Sequence, residues 1–127
     1  MITYVETSAA AKLLAHEDET DALVAFLESE AANLVSSSLL ETELRRAASR
    51  EGIGQQHVTR ILERIEIVEP DRAVFAHAGL LPGRHLRSLD ALHIAAAMAV
   101  SAEQIVSYDH RQIEAAAAAG IRTVSPR

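Results

Sequence analysis

Four acidic side chains stand where separate segments of the chain would bring their ends together. Glu6 closes the first apolar run, and Asp109 follows another short apolar run near the end of the chain. Glu43 lies one turn into a predicted helix, and Asp90 opens a different one. In alternating strand–helix proteins, ligands bind in the crevice at the carboxyl ends of the strands. Acids gathered there would repel one another unless a cation held them. The pattern therefore predicts a divalent metal ion and phosphoryl-transfer chemistry.

Composition limits the protein to one ordinary domain built on an aliphatic core. The chain has 127 residues, of which 49% are hydrophobic, with a mean hydropathy of +0.07. Aromatic residues make up only 3%, so alanine, leucine, valine and isoleucine must fill the core. The absence of cysteine excludes a disulfide framework, a thiolate zinc site and a cysteine nucleophile.

The charge and hydropathy patterns predict a soluble cytoplasmic protein with no membrane partner. No apolar stretch approaches the roughly 18 residues of a membrane span, and the first residues lack the basic flank of a signal peptide. The formal net charge of −6 gives no overall electrostatic footprint for nucleic acid. A bound metal ion can reverse the local field, however, so a nucleic-acid substrate stays open.

Apolar patterning and capping signals predict strands that alternate with helices. The predicted strands cover residues 1–6, 33–36, 65–68, 105–108 and 122–124. The predicted helices cover residues 9–15, 18–30, 38–50, 71–78, 89–99 and 109–119, with a further amphipathic stripe at 58–65. This order predicts a single α/β domain over residues 1–127, with a central parallel sheet of four to five strands between two helical layers.

Small polar residues and glycine mark the predicted helix ends. Thr7 or Ser8 is expected to cap the first helix. Ser38 and Glu41 match a capping box, which gives Glu41 a complete structural role and removes it from the candidate site. Gly52 is expected to end the same helix.

Most of the four acids also have a structural interpretation. Glu43 could be the exposed partner of a nearby arginine at helical spacing. Asp90 would be favoured by the macrodipole in the first turn of its helix, and Asp109 could simply be an N-cap. Glu6 is the hardest to explain structurally, because it interrupts an apolar run beside better caps. The catalytic hypothesis thus depends on all four side chains converging.

Other chemistries find less support in the sequence. His93 follows Asp90 by three residues and could hydrogen-bond to it, although a partly buried helix histidine is the simpler interpretation. No H-x-x-x-H or H-E-x-x-H pattern indicates zinc, and no glycine-rich phosphate loop is present. An acid-pocket receiver or phosphatase domain is a further alternative. A receiver would need a phosphoacceptor aspartate after a central strand and a lysine after a late strand, whereas the single lysine is Lys12, near the start, and no D-x-D motif opens the chain.

Four segments, in their order and spacing, resemble the PIN-domain ribonucleases, and more narrowly the VapC toxins of bacterial type II toxin–antitoxin systems. These segments read YVETSA at 4–9, SSLLETELRRA at 37–47, LRSLDALH at 86–93 and VSYD at 106–109. The resemblance extends over nearly the whole chain. It implies a PIN-like three-layer sandwich whose acidic pocket binds Mg²⁺ or Mn²⁺.

The resemblance assigns roles to particular residues. The family's acids match Glu6, Glu43, Asp90 and Asp109, and its small hydroxyl residue matches Ser8, which would help to position metal-bound water. On this basis Glu6 and Asp90 are expected to contact the metal directly. Asp109, which is also counted among the metal-binding residues, and Glu43 are expected to act through water or at a second metal.

Family membership would also imply the partners. PIN-domain toxins cleave single-stranded or looped RNA to leave a 5′-phosphate, are typically homodimers, and are neutralised by an antitoxin whose C-terminal segment covers the active site. We therefore expect an RNA substrate, a cognate antitoxin and a homodimer. Four arginines are candidates for contacts with the RNA backbone: Arg45, Arg46, Arg84 and Arg87.

One position departs from the family pattern. The first acid is normally aspartate, whereas this chain has Glu6. The extra methylene moves the carboxylate by about 1.5 Å, and a misplacement of about 1 Å can cost on the order of a hundredfold in rate. Weakened metal binding or activity is the resulting hypothesis. The alternative function is a PIN-like module that binds antitoxin or RNA without cleavage.

Overall fold

Five short strands form one parallel sheet in the order β3-β2-β1-β4-β5 in the computed structural model, which describes residues 1–127. The strands are β1 (Thr3–Val5), β2 (Leu34–Ser37), β3 (Glu66–Val68), β4 (Gln104–Val106) and β5 (Arg122–Val124). Every neighbouring pair is parallel. The predicted parallel sheet is confirmed, with strand ends within two residues of those expected.

Seven helices connect and cover these strands. They are α1 (Thr7–Ala11), α2 (Thr20–Ser29), α3 (Ser38–Glu51), α4 (Gln55–Glu63), α5 (Arg72–Leu80), α6 (Ser88–Ala99) and α7 (His110–Ala118). The first helix is shorter than predicted and begins two residues earlier. None of the seven has the length and apolar character needed to span a bilayer.

The pleat of the strands divides the core into two layers. Tyr4 and Ile105 point to one face of the sheet, while their neighbours Val5 and Val106 point to the other, as the alternation of a strand requires. The first face packs against α5, α6 and α7, and the second against α1, α2, α3 and α4. The predicted three-layer α/β sandwich is therefore confirmed.

Two of the predicted caps are wrong, and one helix end is confirmed. Glu6, rather than Thr7 or Ser8, is the N-cap of α1, because its extended backbone lets the long side chain fold back onto the first turn. Helix α3 begins at Ser38 without any side-chain cap, and Glu41 instead pairs with an arginine one turn later. Gly52 ends α3 in the left-handed conformation at φ 68°, as expected.

Close approach of α6 to the sheet depends on its small side chains. Ala95 is fully buried in the layer that α6 shares with α5, whereas Ala99 is exposed. We expect Ala95→Leu to lower the free energy of unfolding by about 1–3 kcal/mol, because the extra methylenes have no space. Ala99→Leu, the matched control on the same helix, should change it by less than about 0.5 kcal/mol. Urea denaturation measures both, and equal effects would contradict the packing assigned to α6.

Candidate active site

The candidate site lies where the ends of β1 and β4 meet. These strands are neighbours in the centre of the sheet, with Val5 in register with Val106. From β1 the chain runs on to β2 on one side, and β4 leads to β5 on the other, so the strand order reverses between them. A reversal of this kind opens a crevice at the carboxyl ends of the strands. Glu6 directly follows β1, and Asp109 follows β4 by three residues.

A cleft of about 550 Å³ opens at this edge of the sheet. Three of the four predicted acids line it, namely Glu6, Glu43 and Asp109. Asp90 is not part of the lining, although its neighbour Leu89 is. A separate apolar cleft of about 400 Å³ between α2 and α4 contains none of the four.

The Glu6 carboxylate ties the two strand ends together. It is 6% exposed, and its Oε1 accepts hydrogen bonds from Ser8 Oγ at 2.5 Å and from Ser107 Oγ at 2.6 Å. Its Oε2 accepts from the backbone N–H of Ser8 at 3.1 Å. The hydroxyl of Ser8 is therefore a hydrogen-bond donor to Glu6. Sequence reasoning missed Ser107, whose only signal was a small polar residue between an apolar run and an acid.

The Glu43 carboxylate is fixed on one side and free on the other. Its Oε1 accepts hydrogen bonds from His93 Nε2 at 2.5 Å and from Thr7 Oγ1 at 2.8 Å. Its Oε2 has no protein donor, and the residue lines the cleft. The structural alternative that pairs Glu43 with an arginine is therefore wrong. His93 is a buried helix histidine, as the simpler interpretation has it, and its Nε2 bonds to Glu43 rather than to Asp90.

The ionisation of Glu43 reflects these contacts. Partial burial of the carboxyl group would by itself raise its pKa. The hydrogen bond and charge of His93, together with the hydrogen bond from Thr7, outweigh the burial and lower the pKa of Glu43 below its ordinary value of 4.5. Glu43 is thus a carboxylate at neutral pH.

Asp90 carries a buried carboxylate oxygen without a partner. Its Oδ2 is inaccessible and receives no hydrogen bond from the protein. Its backbone carbonyl accepts from Gln112 Nε2 at 3.3 Å, which joins α6 to α7. A buried carboxylate oxygen without a partner is costly, and a bound cation would compensate it.

Asp109 is the N-cap of α7, as its structural interpretation predicted. Its Oδ1 accepts hydrogen bonds from the backbone N–H groups of Arg111 at 2.9 Å and Gln112 at 3.4 Å. Its Oδ2 has no protein donor, and the residue lines the cleft. A capping role and a ligand role are compatible here, because each uses a different oxygen.

These acids fit a hard divalent cation without forming a closed cage. No three acidic or histidine side chains stand close enough to hold one ion jointly. Mg²⁺ needs only one or two direct carboxylates and keeps several waters. The unpartnered oxygen of Asp90 and the free oxygen of Asp109 are donors of the type that Mg²⁺ and Mn²⁺ prefer.

The candidate RNA-binding arginines fall in different surroundings. Arg46 lines the acidic cleft, together with Arg50 one turn further along α3. Arg45 is held by hydrogen bonds to three side chains of α3 and α4, those of Glu41, Gln55 and Thr59. Arg84 lines a separate hollow between the 81–87 loop and α7, and Arg87 is exposed at the N-cap of α6.

Comparison with known proteins agrees with this architecture. The family model of the PIN domain matches residues 3–118 of the chain. The chain belongs to the PIN-domain family. Within this family it is 37% identical to the ribonuclease VapC35 of Mycobacterium tuberculosis over 131 residues, which cover 97% of this chain and 96% of that protein.

Solved structures show the same PIN fold. The sarcin–ricin loop cleaving toxin VapC20 of Mycobacterium tuberculosis superposes with a TM-score of 0.77 at 18% identity, covering 98% of this chain and 99% of that one. VapBC2 of Rickettsia felis, solved bound to a DNA fragment from its promoter, gives 0.76 at 20% identity, with full coverage of both chains.

The lowered pKa of Glu43 predicts a pH-dependent share of this PIN domain's stability. A carboxyl group with a depressed pKa in the folded state stabilises the fold above its unfolded pKa, and that stability is lost as the pH falls through the folded pKa. We expect the difference in unfolding free energy between the wild-type protein and Glu43→Gln to be constant above about pH 6 and to shrink below pH 4.5. Denaturant titrations from pH 7 to pH 3 measure it. A difference that grows on acidification would contradict the contacts assigned to Glu43.

Proposed function

We propose that this PIN-domain protein is a Mg²⁺- or Mn²⁺-dependent endoribonuclease, acting as the toxin of a toxin–antitoxin pair. The observation that carries the proposal is the buried, unpartnered Oδ2 of Asp90, whose neighbour Leu89 lines the same cleft as three more acids. The VapC ribonucleases among its relatives support RNA as the substrate.

Three acids would hold the metal directly or through its water molecules, since no three stand close enough to ligate one ion together: Glu6, Asp90 and Asp109. Asp90 and Asp109 each offer an oxygen that has no protein partner. Glu6 would have to release a serine hydroxyl, since its carboxylate already accepts three hydrogen bonds. When bound, the ion would lower the pKa of a water molecule and neutralise charge that develops on the scissile phosphate.

The side chains of α3 would orient water and substrate. Glu43 is ionised, and its free Oε2 would accept a hydrogen bond from the attacking water. Attack on phosphorus would break the bond to the 3′ oxygen, which takes up a proton, and would leave a 5′-phosphate. Arg46 and Arg50 would contact backbone phosphates, because their guanidinium groups match phosphate geometry. Arg45 is less suited to that role, since its donors are engaged within the protein.

Partners follow from the same proposal. The Rickettsia felis relative is a VapBC complex, which supports a cognate antitoxin for this chain. Such an antitoxin would neutralise the toxin by covering the acidic cleft. A homodimer is the expected form of the toxin itself.

Asp90→Asn tests the metal site directly. The substitution removes the buried charge while keeping the shape, so it should abolish metal-dependent RNA cleavage and leave the fold intact. The rise in melting temperature that Mn²⁺ causes in the wild-type protein should disappear, because a ligand stabilises only the state that binds it. Cleavage of total RNA, with end mapping, and thermal denaturation with and without Mn²⁺ measure these effects.

Glu41→Gln is the matched control, because Glu41 lies on α3 outside the cleft and pairs only with Arg45. It should retain both cleavage and the Mn²⁺ response. Full activity in Asp90→Asn would refute the assignment of Asp90, and loss of activity in the control would show that the assay reports general damage.

A second candidate function is a non-cleaving PIN module that binds antitoxin or RNA. The observation that favours it is the engagement of the Glu6 carboxylate with Ser8 and Ser107, in a position where the family pattern has the shorter aspartate. No cleavage at any Mg²⁺ or Mn²⁺ concentration, together with retained antitoxin binding, would support this candidate.

Glu6→Asp separates the two possibilities. The shorter side chain should tighten metal binding and raise the cleavage rate, because it draws the carboxylate away from the serines. It should also lower stability by about 1–2 kcal/mol as the buried hydrogen bonds between strand ends are lost. Isothermal titration with Mn²⁺, cleavage rates and denaturation measure the three effects. Unchanged metal affinity and rate would disprove the hypothesis that Glu6 weakens the site.

A further inference from the structure

A chain of buried polar side chains crosses the core and ends on Glu43. It begins at Ser37 at the end of β2, continues through Tyr4 of β1 and His93 of α6, and reaches Glu43 of α3. Four different elements thus contribute one residue each. Tyr4 is fully buried and His93 is 2% exposed, so neither side chain relies on solvent water for its hydrogen bonds.

The distances make every link a good hydrogen bond. Ser37 Oγ lies 2.9 Å from Tyr4 Oη, and Tyr4 Oη lies 2.7 Å from His93 Nδ1. His93 Nε2 lies 2.5 Å from Glu43 Oε1. The rings of Tyr4 and His93 also meet edge to face, with centroids 5.7 Å apart at 74°. This contact fixes the plane of the imidazole as well as its position.

The charge of Glu43 decides which atom donates in the hydrogen bond between His93 and Glu43. Glu43 is an ionised carboxylate and can only accept, so the proton of this hydrogen bond must be on Nε2 of His93. Burial raises the pKa of Tyr4 to about 12, so its hydroxyl keeps its proton and can donate one hydrogen bond while accepting another. The Tyr4 hydroxyl can therefore donate a hydrogen bond to Nδ1 of a neutral His93 ring or accept one from Nδ1 of a charged ring.

Packing alone does not explain these residues. The same volume could be filled by aliphatic side chains, and each buried polar atom costs stability unless it is paired. The hydrogen bonds between these four side chains pair each buried polar atom of the row. The outermost residue is Glu43, a carboxylate whose second oxygen is free in the cleft. A polar network of this kind holds one geometry rather than several.

We propose that His93 is a positioning residue, which holds Oε1 of Glu43 so that Oε2 faces the attacking water in the cleft. This inference rests on the proposed ribonuclease function and deepens it. Tyr4 and Ser37 act behind His93 by fixing the tilt of its ring. Thr7, which donates to the same Oε1, supplies the second point of attachment.

Two amide substitutions at His93 test the proposal, because they differ by a single methylene. In His93→Gln the amide nitrogen reaches about as far as Nε2 and can still donate to Glu43. In His93→Asn the amide reaches only about as far as Nδ1, so it keeps the contact with Tyr4 and loses the contact with Glu43. We expect His93→Asn to lower kcat by about 10- to 100-fold with KM unchanged, and His93→Gln to restore most of the loss.

A second readout does not depend on activity. Carboxyl ¹³C NMR of Glu43 should show a pKa below 4.5 in the wild-type protein, and a raised pKa in His93→Asn, where burial is less opposed. His93→Gln should lie closer to the wild-type protein. Thermal denaturation confirms that each variant is folded before its kinetics are compared.

The outcomes separate the two proposals. If the wild-type protein cleaves RNA and His93→Asn has the same kcat, or if His93→Gln is as impaired as His93→Asn, the positioning role is overturned while the ribonuclease function stands. If the wild-type protein cleaves no RNA at all, the proposed function fails. The Glu43 titration then decides the positioning role alone, and an unchanged pKa in His93→Asn would overturn it.

Discussion

The contact between the ends of β1 and β4 is the constraint on which the acidic cleft depends. Glu6 accepts hydrogen bonds from serines that follow each of these strands, so the two strand ends cannot separate without exposing a buried carboxylate. The same serine hydroxyls accept from the backbone N–H groups of Tyr108 and Asp109. The position of α7, and with it Asp109, is therefore set by a junction of polar atoms at the edge of the sheet.

The parallel sheet and the presence of Glu6 and Asp109 in one cleft were predictable, because both follow from simple periodicities. Short apolar runs alternating with amphipathic segments require parallel strands between two helical layers. Parallel strands end at one edge, and this is why Glu6 and Asp109 share a cleft. Asp90 is predicted to lie there as well, but it does not line the cleft, and one of its carboxylate oxygens is buried. Its role as a metal ligand stays a prediction.

The contacts that shape the individual side chains were not predictable, because they join residues far apart in sequence. His93 and Glu43 are separated by 50 positions, and Ser107 and Glu6 by 101. No local pattern encodes such pairs. The capping errors have a related cause: the side chain of Glu6 caps α1 while also bonding to Ser107, so tertiary contact decided a choice that propensity assigned to its neighbours.

The contacts of Ser107 make the acidic cleft sensitive to the last strand of the sheet. Ser107 donates its backbone N–H to Val124, and its carbonyl accepts from Ser125, so the last strand must be in place to hold it. The junction at Glu6 therefore depends on β5, and a substitution that detaches β5 from β4 would loosen the acidic cleft without changing any of its acids.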